Sequence, residues 1–107
     1  MNNPYGVIPF ESSLGQFLCG YYHQDWQLDD RTWDAVVLRF KRQNPPELVR
    51  ETAGDLERLL AQEFDESRLD TVLFKELRLD WDPRPVLSLR AWLSGILQLL
   101  RSGAHAA

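Results

Sequence analysis

The chain is poor in the residues from which metal centres, covalent catalysis and cross-links are built. It has one cysteine, Cys19, and two histidines, His23 and His105. A lone cysteine closes no internal disulfide, so nothing calls for an oxidising compartment. Catalytic zinc takes three protein ligands, mostly histidine. His23 and Asp25 stand two residues apart with Asp29 and Asp30 nearby, but the second histidine lies far off in the tail. None of the zinc, calcium or di-iron spacings occurs, so no metal and no cofactor is expected. Glycine loops of the kind that cradle phosphate are absent as well. There is no surplus of positive charge. Twelve Lys and Arg face sixteen Asp and Glu, giving a net charge of −4. A nucleic-acid partner, which wants a basic face, is therefore not expected. No apolar run approaches the ~20 residues that span a bilayer, so no membrane partner is expected either. The first residues, Met-Asn-Asn-Pro-Tyr-Gly, lack the basic and apolar regions of a secretory signal, which points to a cytoplasmic location. Neither internal repeats nor low-complexity tracts are seen.

What the chain does have is apolar periodicity. With 107 residues, 44% of them hydrophobic, it can bury one core without metal or disulfide support. We read 1–107 as a single domain. Pro4, Gly6 and Pro9 make residues 1–11 an extended arm. Ser12 or Ser13 caps a first helix that runs to about Gln24. Within it Leu14, Phe17, Leu18, Tyr21 and Tyr22 form one apolar face. Gly20 is a place where a neighbouring helix could come close. Asp30 or Thr32 caps a second helix, about 31–42, with Trp33, Val36, Val37 and Phe40 in a stripe. Asn44-Pro45-Pro46 ends it, and Pro46 opens a third helix to about Gln62 or Glu63. The inward face of that helix is Leu48, Thr52, Leu56, Leu59 and Leu60, with Val49 and Ala53 at its edge. Asp65 or Ser67 caps a fourth helix, about 67–77, with Leu69, Val72, Leu73 and Leu77 inward. Two prolines, Pro83 and Pro85, break the next segment. Ser88 caps a last helix, about 89–101, whose Leu89, Trp92, Leu93, Ile96, Leu97 and Leu100 give the clearest period in the chain. Residues 102–107 read as a frayed tail. The fold class is all-α, a single-domain bundle of about five helices with short Pro-containing connections.

The densest chemistry lies in Tyr21-Tyr22-His23-Gln24-Asp25-Trp26, where the first helix gives way to a loop. Cys19 and His23 are four apart and can share a helical face. Without a third orienting group beyond Asp25, and with Cys19 beside Leu18, packing is the simpler reading. No catalytic residue is assigned. Acidic residues gather in three places. Asp25, Asp29, Asp30 and Asp34 sit around the first connection; Glu63, Asp65, Glu66 and Asp70 around the third; Asp80 and Asp82 flank Trp81. Each can be a helix cap or a solvated end, or part of a negative surface that steers a basic partner. Trp26 and Trp81 are either core or aromatic anchors.

The run Phe17-Leu18-Cys19-Gly20-Tyr21-Tyr22-His23-Gln24-Asp25-Trp26 resembles the signature of the immunity proteins of bacterial contact-dependent growth inhibition systems. Trp33-Asp34-Ala35-Val36 to Phe40, Leu56 to Leu60, and Trp92-Leu93 extend the likeness over roughly residues 10 to 100. The Asp80–Pro85 loop is longer than the family pattern. The resemblance implies a small cytoplasmic protein that binds and neutralises a cognate toxin domain of a secreted effector, often a nuclease, with no activity of its own. It does not transfer contacts, because specificity must separate cognate from non-cognate pairs. We therefore expect Tyr21, Tyr22, His23, Gln24, Asp25, Trp26 and Trp92 to be structural. Partner contacts are expected at Asp29, Asp30, Asp34, Glu63, Asp65, Glu66, Asp80 and Asp82. A helical adaptor or regulatory module unrelated to toxins is the alternative, and oligomeric state is left open.

Overall fold

The structure, a computed structural model, describes residues 12–22, 32–79, 81–84 and 87–102. The expected arm and most of the tail fall outside these residues, as do His23, Gln24, Asp25, Trp26, Asp29, Asp30 and Asp80. Within them the architecture is all helical. Helix α1 is Ser13–Tyr21, α2 Trp33–Gln43, α3 Pro46–Ala61 and α4 Glu66–Asp70, which runs on into a π-helical segment, Thr71–Glu76; α5 is Leu89–Arg101.

Each start has a physical cause. The Ser12 side chain accepts from the Gly15 N–H, Asp65 from Arg68, and Ser88 from Ala91, so each satisfies a donor that the first turn leaves open. Pro46 opens α3, where its missing N–H costs nothing. Thr32 precedes α2 but makes no capping bond through its side chain. Helix α1 stops at Tyr21, short of the expected Gln24, because the backbone leaves the helical region at Tyr22.

The core lies between α5 and its neighbours. Leu89, Trp92, Leu93 and Ile96 are fully buried, together with Leu14, Leu18, Val36, Leu56, Leu59, Leu69 and Leu73. Helix α3 runs antiparallel to α5: Glu57 meets Arg101, and the Phe64 carbonyl meets Arg90. Helix α2 runs alongside in the same direction as α5, with Trp33 against Gly95 and Lys41 against Leu99. A Cβ at Gly95 would come 2.6 Å from Trp33 Cη2. The close helix approach thus falls at Gly95 and not at Gly20, where a Cβ would meet nothing within 4 Å.

One face and one stretch of winding differ from the sequence expectation. In α3 the buried set is Val49, Thr52, Ala53, Asp55, Leu56 and Leu59, while Leu48 and Leu60 are only half-buried. Packing against α1 on one side and α5 on the other buries a broader arc, turned toward Val49 and Ala53. In the fourth helix, winding widens after Asp70, and the Leu77 N–H bonds to the Val72 carbonyl five residues back. That turn keeps Val72, Leu73 and Leu77 all in the core. Arg78 then adopts φ 59°, and the Leu79 N–H closes the segment on the Leu73 carbonyl at 2.8 Å.

Candidate partner-binding surface

Tyr22 anchors the signature run. Its ring is fully buried, 5.0 Å edge-on to Trp92 and stacked on Trp81 at 5.9 Å. Its hydroxyl donates to the Trp33 carbonyl at 2.5 Å, tying α1 to the start of α2. Trp81 also meets Trp92 edge-on at 5.7 Å, so it acts as a lid on the core. Trp92 itself is completely buried, and its indole Nε1 finds no acceptor among the described residues. Tyr21 is half-buried and turns to α2 instead of α5. Its ring packs edge-on to Phe40 at 5.2 Å, Arg39 lies 4.9 Å above it, and its hydroxyl donates to Gln43 and accepts from Asn44. Cys19 donates its thiol to the Leu77 carbonyl at 3.0 Å, which fastens α1 to the end of the π-helical segment. Among the described residues, no group of three or more His, Cys, Asp or Glu is placed to hold a metal ion.

The acidic residues divide by what their carboxylates touch. Asp65 caps α4. Glu66 accepts from the Leu89 and Arg90 N–H groups, 2.8 and 3.0 Å, at the start of α5. Asp82 and Asp70 share Arg84, at 2.7 and 2.9 Å. The Arg84 hydrogen bond holds the Asp82 carboxyl below its ordinary range, and the two carboxylates push the Arg84 guanidinium up. Glu57 is likewise held low by its hydrogen bond from Arg101. Asp34 and Glu63, by contrast, are exposed, and their carboxylates have no hydrogen-bond or ion-pair partner among the described residues. Glu63 also holds φ 57°, a left-handed conformation that suits glycine better.

Two residues that matter to this arrangement were not singled out from the sequence. Asp55 is buried, accepts from the Leu14 N–H at 3.2 Å and pairs with Arg58. It is a second cap for α1, supplied from α3. Lys41 is buried and donates to the Leu99 and Ser102 carbonyls at the end of α5. Burial lowers its pKa from the ordinary lysine value. The signal for Asp55 was a carboxylate three residues before Arg58 on a helix whose neighbours are apolar. For Lys41 the sequence offered only a favourable charge at its own helix end. Helix α5 therefore has a carboxylate, Glu66, at its N-terminus and an amine, Lys41, at its C-terminus, the arrangement its macrodipole favours.

By class the described residues define an all-α helical bundle, with its helix ends tied by caps and ion pairs over an aromatic core. The model of the CdiI immunity protein family matches residues 11–100. The chain belongs to that family. Among solved structures it is similar to a chain in the crystal structure of a CdiA-CT/CdiI complex from Y. kristensenii 33638. The two share 20% sequence identity, with 84% of this chain and 92% of that one covered and a TM-score of 0.78. At that identity the likeness speaks for the fold. No curated protein matches the chain by sequence.

Proposed function

We propose that this chain is the immunity partner of a toxin domain at the C-terminus of a contact-dependent growth inhibition effector. It neutralises that toxin by covering it and performs no chemistry of its own. The observation that carries the reading is the family match over residues 11–100, most of the chain. The solved relative, similar over 84% of this chain, is described as a complex of CdiA-CT with CdiI. We take the toxin to be of nuclease type and the contact to be electrostatically steered. The support is the net charge of −4 together with exposed carboxylates such as Asp34 and Glu63. A nuclease carries a basic substrate face, and opposite charge speeds encounter and rejects wrong partners. On this reading 1–107 is one domain that works in the cytoplasm.

The test uses the purified chain and the C-terminal domain of the effector encoded next to it. The expected result is a 1:1 complex with a Kd in the nanomolar range or below, loss of toxin activity at equimolar ratio, and rescue of cells expressing the toxin domain. Absence of binding, with both proteins folded, would refute the proposal. A second experiment addresses the steering. Raising salt from 50 to 500 mM should slow association at least about tenfold while changing dissociation little.

A further inference from the structure

Among the described residues, helix α5 is packed or tied on every side but its outward one. Its inner face is core, Glu66 and Lys41 hold its ends, Arg101 is tied to α3 through Glu57, and Arg90 to the connection after α3 through the Phe64 carbonyl. Outward it shows small or short polar residues, Ala91, Ser94 and Gln98, with Gly95 at the edge against the Trp33 ring. With Leu60 and Leu97 these line a shallow trough of about 720 Å³. Ser94 and Gln98 are exposed, and their side chains have no hydrogen-bond partner among the described residues. Such a surface combines an apolar floor, a close approach for a partner's backbone, and open polar groups.

The charges around the trough say what would fill it. Asp34 follows Trp33, whose ring lies against Gly95 on the α2 side. Glu63 stands one turn past Leu60 on the α3 side, and its N–H bonds to the Leu60 carbonyl at 3.1 Å. Trp33, against Gly95, and Leu60 mark the two banks of the trough, and these two exposed carboxylates, without a partner among the described residues, follow them in the chain by one and three residues. The one charged residue that lines the trough, Arg101, is already engaged with Glu57. A partner with an apolar segment flanked by Lys or Arg on both sides matches this layout, and an acidic one does not.

Building on the toxin-binding reading above, we propose that the outward trough of α5 is where the cognate toxin domain seats, inserting an apolar segment between basic residues that pair with Asp34 and Glu63. The full chain carries the test, with the toxin domain of the adjacent effector as probe. Ser94→Arg puts bulk and positive charge on the floor, and Asp34→Lys with Glu63→Lys inverts the banks. Each should weaken toxin binding about 30-fold or more by calorimetry or surface plasmon resonance. Glu47→Lys is the control. Glu47 is also exposed and without a partner among the described residues, but it sits thirteen residues before Leu60 on α3, about 20 Å along the helix. It should change affinity less than about threefold. Circular dichroism separates loss of binding from loss of fold, and Gln98→Arg supplies a second floor variant should Ser94→Arg unfold.

Wild-type affinity in the trough variants would overturn the inference while leaving the immunity function intact. An equal loss in the Glu47 variant would also overturn it, since net charge would then be the cause. If the wild-type chain does not bind the toxin domain at all, the immunity reading fails first.

Discussion

The two sides of α5 form a contrast within thirteen residues. Facing inward, Leu89, Trp92, Leu93 and Ile96 are fully buried. Facing outward, Ala91, Ser94 and Gln98 are exposed. The inner side carries large, branched or aromatic residues that exclude water; the outer carries residues too small to cover anything. A helix whose outer side needed only to be soluble would carry Lys and Glu there. On the proposal made above, one element holds the fold with one face and offers the other to a partner. The two should then respond to mutation independently.

The largest expected effect breaks the inner side. Leu93→Ala should cost about 3 kcal/mol, within the range for emptying a fully buried leucine site, and urea denaturation would show it. Toxin affinity should be unchanged at temperatures where the variant remains folded. Asp55→Ala comes next, at about 2 kcal/mol, because it strips the buried Leu14 N–H of its acceptor as well as Arg58 of its partner. It probes the inner architecture from α3, so it too should leave affinity alone.

Glu63→Gly sharpens the contrast from the outer side. Glycine removes the left-handed strain at φ 57°, so folding stability should change little or rise by up to about 1 kcal/mol. Binding should weaken, because one bank loses its carboxylate. A variant that is no less stable but binds worse is the signature of a surface kept for contact. The smallest effect is in acid. Asp82 and Glu57 have folded pKa values below their ordinary 3.8 and 4.5. Their stabilisation is therefore complete above those values and is lost as pH falls through the lower folded ones. Both are exposed, so the loss between pH 5 and 2 should be modest. In thermal melts Asp82→Asn with Glu57→Gln should flatten the acid limb slightly.

The inner side was legible in the sequence because burial leaves a period. Leu89, Trp92, Leu93, Ile96 and Leu100 recur at helical spacing, and Ser12 and Ser88 cap as expected. Tyr22 and Trp92, both at helical-face positions of their stripes, pack on each other. Periodicity could not show the π winding of Thr71–Glu76, since Leu69, Val72, Leu73 and Leu77 also fit an α-helix. Nor could it give the arc of α3, which two neighbours widen, or caps that come from another element, as with Asp55, Glu66 and Lys41. The outer side was hardly legible. Charge picked out Asp34, Glu63, Asp65, Glu66 and Asp82 alike, yet only three-dimensional pairing shows that Asp65, Glu66 and Asp82 have partners while Asp34 and Glu63 have none among the described residues. The trough has no sequence signal beyond small residues on one helical face.

A crystal structure of this chain with the toxin domain of its adjacent effector puts the account to its most direct test. The account expects toxin atoms within 4 Å of Ser94 and Gln98, and toxin Lys or Arg side chains at Asp34 and Glu63. A complex in which the outward side of α5 stays open to solvent would contradict it.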